Sequence, residues 1–291
     1  MKILALLGLV TLLYAPVASA REDAEKAYEL CERYSHRSYY TKALESCNRV
    51  RNYYRDQPEA LKAELVIAEI YFKKADYEQA RMSYEDFRRL HPLYPVYVVG
   101  EDGEPGRGMD FVVYREGLSM FKRASKIPGR DQTATRSSLA TWSWCPPGRQ
   151  EGGARGYDQC FPESAYLAEV QALQAKGLDR LAEKELVVAR FYAERGVWRA
   201  VIDRAQGMVR LYPESAHVPE ALALLAEAQH ASGDLQGAAA ALAALESGHP
   251  GSAWIPRVRR ALEREPGQPA EDEIFVRPHR ISTTGMPGMG M

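Results

Sequence analysis

Outside Ile3 to Val17 the chain has no long hydrophobic run, it has no surplus of either charge, and it carries only four cysteines in 291 residues. The Ile3 to Val17 stretch is too short to cross a bilayer, which excludes an integral membrane helix. Lys and Arg total 38 against 39 Asp and Glu, a net charge of −1. A chain so balanced has no general electrostatic hold on a phosphate backbone, so nucleic acid is not an expected partner. Neither CxxC nor HExxH occurs, and His36, His91, His217, His230, His249 and His279 are scattered. Metal sites need clustered ligands, so none is expected. There is no GxSxG elbow and no GxxxxGK phosphate loop, and the glycines of Gly103 to Gly108 follow no strand. Acid pairs such as Glu183 and Glu185 read as solvated helix surface. Catalysis and cofactors are therefore not expected. What is present is 46% hydrophobic and 26% charged, the composition of an ordinary folded chain.

The first twenty residues read as an export signal: Lys2 is a basic start, Ile3 to Tyr14 an apolar core, and Ala18-Ser19-Ala20 a small-x-small cleavage site. A mature chain from Arg21 in an oxidising compartment, the periplasm of a Gram-negative host, is the expectation. A lipid anchor would need cysteine directly after the cleavage site, where Arg21 stands, so no lipobox cysteine is read here.

A repeat of about 37 residues organises the rest. Ala75-Asp76-Tyr77 and Gly233-Asp234-Leu235 superpose as small residue, acid and bulky residue, each followed by alanine at Ala80 or Ala238. In the same register Ala68, Tyr71, Ala80, Tyr84, Phe87 and Pro92 stand where tetratricopeptide repeats place small, aromatic and proline residues. Ala189, Tyr192, Gly196, Trp198, Ala205, Met208 and Pro213 make a later repeat, and Ala226, Ala238, Leu242, Leu245 and Pro250 the next. Paired helices approach closely only where side chains are small, and one hairpin cannot bury its apolar stripe alone. The expected fold is all-α: a tetratricopeptide solenoid of about five hairpins in two lobes. The weaker first repeat spans Leu30 to Val50. The third pairs Phe111 to Lys126 with Gln132 to Trp144, and Ser252 to Glu263 is a capping helix. The expected organisation is a signal peptide at 1–20, an N-terminal lobe at 21–128, the end of the third repeat with a Cys-flanked insert at 129–162, a C-terminal lobe at 163–265 and a flexible tail at 266–291. The insert between Cys145 and Cys160 has no helical periodicity. Met286, Met289 and Met291 could hold copper(I), but they read better as low-complexity tail.

Four cysteines in an exported chain suggest two disulfides out of three possible pairings. Register pairs Cys31 with Cys47, facing positions of the first hairpin, and Cys145 with Cys160, which flank the insert. Four unpaired thiols are the alternative. Tyrosines crowd the first two hairpins, and most fall on core positions. Tyr39, Tyr53 and Tyr77 are candidates for a groove that grips an extended peptide.

Certain blocks go beyond the repeat. Phe111-Val112-Val113-Tyr114-Arg115-Glu116-Gly117-Leu118, followed by Gly129-Arg130-Asp131, and Ala189 through Val201 with its Tyr192-Ala193-Glu194-Arg195-Gly196-Val197-Trp198 core, resemble the BamD family of outer-membrane protein assembly factors. Arg204 to Pro213 and Glu64 to Pro92 agree, and the similarity runs from about Ala24 to Pro250. The resemblance implies no enzymatic activity and a place in the Bam complex that folds β-barrels into the outer membrane. It implies a C-terminal lobe docked on a POTRA domain of BamA, contact with other Bam subunits, and an N-terminal lobe that receives unfolded barrel proteins. Arg204 matches the family arginine that makes a charged contact to BamA, with Arg195 and Trp198 in the neighbouring block. The family is normally lipid-anchored; with Arg21 in place of that cysteine, peripheral association with the inner face of the outer membrane would rest on BamA. A periplasmic tetratricopeptide coordinator of cell-envelope or division machinery is the other reading.

Overall fold

The computed structural model describes residues 21–100, 103–149 and 156–265. The export signal and the tail expected at 266–291 lie outside the described residues. Five helical hairpins follow one another: α1 (21–36) with α2 (Tyr40–Tyr53), α3 (Pro58–Lys73) with α4 (Tyr77–Leu90), α5 (Met109–Arg123) with α6 (Thr133–Thr141), α8 (Leu167–Ala193) with α9 (Trp198–Leu211), and α10 (Val218–Ala231) with α11 (Leu235–Gly248). A single turn, α7 (Tyr157–Cys160), precedes the fourth hairpin, and α12 (Ile255–Leu262) follows the fifth. The solenoid class expected from the repeat is the one observed.

Four of the hairpin turns are the same object. Ser38, Ala75, Gly196 and Gly233 all take left-handed backbone, with φ of 59°, 59°, 66° and 85°. The residue after each donates its N–H five positions back, Tyr39 to Tyr34, Asp76 to Tyr71, Val197 to Tyr192 and Asp234 to Gln229, at 2.8–3.0 Å. This bond closes a helix whose next residue is left-handed. Where the following residue is aspartate it also starts the second helix: Asp76 accepts from the Gln79 N–H and Asp234 from the Gly237 N–H. Glycine at Gly196 and Gly233 avoids the Cβ penalty of positive φ, which Ser38 and Ala75 carry.

The irregular segments end for local reasons. The helix expected at Phe111 to Lys126 stops at Arg123, because Ala124 turns extended at ψ 139° and Ile127 precedes a proline. Its partner, expected at Gln132 to Trp144, runs from Thr133 to Thr141. The capping helix is shorter than expected, Ile255–Leu262, with Pro256 in its first turn. The Cys-flanked insert does hold helix, the α7 turn, which its pattern did not reveal.

Two compact units emerge. The first comprises the described residues up to Ser125 and from Asp131 to Gly177; the second comprises Lys126–Arg130 and the described residues from Leu178 on. The division falls within α8. In the first unit, one core of Cys31, Ala43, Cys47, Val50, Val66 and Ile70 packs α1 to α3. A second gathers Ala68, Ala80, Tyr84, Phe87, Val112, Trp142, Tyr157 and Phe161. Both disulfides, Cys31–Cys47 and Cys145–Cys160, are formed as the register required. The insert is held to α5 by buried polar groups: Tyr157 Oη donates to the Asp110 carbonyl at 2.8 Å and Ser164 Oγ to Asp110 Oδ2 at 2.7 Å. Burial raises the Asp110 carboxyl above its usual range, while the Ser164 hydroxyl opposes that. Trp142 is fully buried with its Nε1 donating to the Tyr114 carbonyl at 3.2 Å, and its ring lies against Gly117, where any Cβ would collide with it. The second unit has one core, running from Ala182 through Ala189, Ala205, Met208 and Ala226 to Val258.

Candidate functional site

In the second unit α9 has two unlike faces. Val201, Ala205 and Met208 are buried, spaced as one helical stripe. Ala200, Asp203, Arg204, Gly207 and Leu211 recur at three- and four-residue steps on another face, and with Glu185 and Tyr192 of α8 they line a concavity of about 440 Å³. Ala200 and Gly207 leave its floor low, and a Cβ at Gly207 would meet nothing. Leu211 is 60% exposed at one end. Arg204 Nη1 lies 2.9 Å from Glu185 Oε2, with the arginine side chain 48% exposed and the glutamate 19%. The guanidinium side of this pair is open to solvent, so an external acid can reach Arg204 while Glu185, largely buried, keeps its hold on it.

The neighbouring block is arranged differently. Arg195 stacks over the Phe191 ring at 3.5 Å from its centroid and donates Nη1 to the Phe191 carbonyl at 2.8 Å. Phe191, 48% exposed, meets Tyr192 edge-on. Trp198 begins α9 half-buried against the core of the second unit. Arg204 thus lines the concavity, while neither Arg195 nor Trp198 does. Sequence reasoning missed Phe191 and Leu211, which present the apolar surface beside the arginines. The signal was available for Leu211: it shares a repeat register with Tyr53 and Leu90 at the end of each second helix, where no core contact is required.

In the first unit Tyr39 caps α2 at 55% exposure, and Tyr53 ends the same helix at 81%. A helix rises about 1.5 Å per residue, which separates them by roughly 20 Å. They are two contacts along a strip, not one pocket. Tyr77 opens α4 half-buried, edge-on to Phe72. Leu90 and Leu93, 58% and 86% exposed, are further apolar residues of this unit open to solvent, beyond the tyrosines singled out from sequence. In the same unit Arg88 forks onto buried Glu116 with contacts of 2.7 and 3.0 Å and stacks on Trp144. Burial raises the Glu116 carboxyl and Arg88 counteracts it. Arg115 joins Glu69 and lies over Phe72, with Tyr84 Oη also bonded to Glu69. These ion pairs connect α3, α4 and α5 inside the stack, and each carboxylate already has its cation. Among the described residues no three His, Cys, Asp or Glu side chains are grouped to hold a metal ion, and no helix is long and apolar enough to cross a membrane.

Comparison with known proteins matches residues 20–145 and 154–234 to the family model YfiO, described as outer membrane lipoprotein. The outer membrane protein assembly factor BamD of Neisseria meningitidis serogroup A is 30% identical over 238 residues, 80% of this chain and 82% of that protein. The chain belongs to the BamD family. The BamD of Neisseria gonorrhoeae is 29% identical over 262 residues, covering 86% of this chain and 91% of its own. That of Haemophilus influenzae is 29% identical over 169 residues, 56% of each. The family match ends at residue 234 and leaves out 146–153, so α11 and α12 lie beyond it, as does the middle of the Cys-flanked segment.

Proposed function

We propose that this chain is a non-catalytic scaffold of outer-membrane β-barrel assembly, at the periplasmic face of the outer membrane. The α8–α9 concavity docks on a POTRA domain of BamA, and the exposed apolar residues of the first unit receive unfolded barrel proteins. The observation that carries the reading is Arg204, half-exposed on a concave helix face beside Tyr192 and Leu211 and paired internally with Glu185. Family membership supplies the context. On docking, an acid of the partner would join Glu185 on the guanidinium while Leu211 and Phe191 lose water. Contacts to other Bam subunits fall on surface still uncovered after that docking. Tyr39, Tyr53, Leu90 and Leu93 suit an extended chain whose alternate side chains are apolar, the pattern of a barrel strand.

Affinity purification of the tagged chain from solubilised membranes tests the docking. BamA should be recovered with the natural chain and lost with Arg204→Glu, while Glu185→Gln retains it. Undiminished recovery with Arg204→Glu removes the docking proposal. Recovery of division proteins in place of BamA would favour the cell-envelope coordinator. For the first unit, peptides ending in an aromatic residue should cross-link near Tyr53 and Leu90; labelling confined to the second unit would refute that part.

A further inference from the structure

The last helix is built for something beyond covering the stack. Its inner face, Ile255, Val258 and Ala261, is buried against the fifth hairpin. Its outer positions carry Arg257, Arg259 and Arg260, with Arg264 just beyond its end; Arg259 pairs with Glu246 at 2.7 Å, and Arg257 and Arg264 lie near Glu227. At its start Trp254 joins Ala216, Pro219, His249 and Pro250 around an open concavity of about 460 Å³. Arg257 stacks over the Trp254 ring at 4.7 Å from its centroid. An aromatic and proline-lined groove flanked by guanidinium groups suits an extended apolar segment preceded by acids.

The chain supplies such a segment itself. After Glu265 comes Pro266-Gly267-Gln268-Pro269-Ala270, then Glu271-Asp272-Glu273 and Ile274-Phe275-Val276. We propose that Ile274-Phe275-Val276 occupies the Trp254 groove, with the three acids running back beside the arginines of α12. The lengths agree. The eight residues of α12 rise about 12 Å. The eight residues 266–273 reach up to roughly 26 Å when extended. Two prolines in that stretch favour extended backbone. The acids then pass the α12 arginines before the apolar triplet arrives at Trp254. Tethering places the segment at an effective concentration in the millimolar range, so a weak contact is enough to fill the groove. The proposal is independent of the BamA reading, because the groove lies on the start of α10, the residue Ala216 before it and the loop from α11 to Trp254, and shares no lining residue with the α8–α9 concavity.

Hydrogen exchange read by mass spectrometry on the full mature chain tests it, in peptides covering 249–262. Exchange there should be several-fold slower in the natural chain than in Phe275→Ala. Replacing Glu271, Asp272 and Glu273 by Gln, Asn and Gln should give an intermediate rate, and the protection of the natural chain should weaken with added salt. Identical exchange in the natural chain and Phe275→Ala overturns the proposal. So does protection that grows with protein concentration, which would place a second copy's segment in the groove. Both variants alter only residues beyond Glu265, so the hairpins that form the groove are untouched.

Discussion

Glu227 is a sharp test of how the second unit holds together. It sits in α10 at 9% exposure, its Oε1 has no hydrogen-bond partner, and burial raises its pKa to about 8 despite Arg257 on α12 and Arg264 just beyond it. A carboxyl whose folded pKa lies above its unfolded value of 4.5 is held more tightly as the acid in the folded state. Its contribution is therefore fully present below about pH 4.5 and is lost as pH rises through about 8. At about 1.4 kcal/mol per unit the ceiling is roughly 5 kcal/mol, and relaxation with water penetration brings the expected loss to about 2 kcal/mol. Glu227→Gln removes the titration. Urea unfolding followed by circular dichroism at pH 5, 7 and 9 should show the natural chain losing stability across that range more steeply than the variant. The two should nearly coincide at pH 5 and differ by about 2 kcal/mol at pH 9, with the variant more stable. Other groups titrate in both chains and drop out of the difference. Parallel pH profiles would refute the reasoning and mean that Glu227 is solvated or paired in solution.

The shared turn makes paired predictions. Ala75→Gly relieves a left-handed alanine and should raise stability by about 0.5–1 kcal/mol, while Gly233→Ala should lower it by about 1 kcal/mol, both read from denaturant midpoints. Equal effects of the same sign would show that left-handed geometry is not what the turn selects. Gly117→Ala drives a methyl into the Trp142 ring, and the first unit should lose about 1–3 kcal/mol with altered near-ultraviolet dichroism from Trp142; an unchanged spectrum and midpoint would contradict the close packing. Arg88→Met strands Glu116, which is 1% exposed, so the first unit should lose about 3–5 kcal/mol, and Arg88→Met with Glu116→Leu should recover much of it. A double variant no better than the single one would show that the guanidinium contributes more through Trp144 than through Glu116.

Much of the molecule is written in short-range terms. A turn of one left-handed residue needs a small side chain, a closely crossing helix pair needs alanine, and the stack repeats those demands every 37 residues between Gly196 and Gly233. The disulfide pairing could be read because Cys31 and Cys47 occupy facing positions of one hairpin, an arrangement the register alone dictates. The irregular third repeat was less legible. Its first helix ends where the extended Ala124 and Pro128 intervene, and α7 is a single turn too short to show a period.

The candidate surfaces divide along the same line. Periodicity and family blocks pointed to Arg204, Arg195, Trp198, Tyr39, Tyr53 and Tyr77, but which of them share a surface depends on residues far along the chain. Arg204 meets Glu185 across a hairpin, Arg195 folds onto Phe191, and Trp198 packs half-buried against the core. Linear order settles the rhythm of helices and turns, because those depend on neighbours within a few positions. Packing alone assigns burial and partners, since these are set by whichever distant side chains the stack brings within reach, as with Glu227 beneath α12 and Glu116 against Arg88.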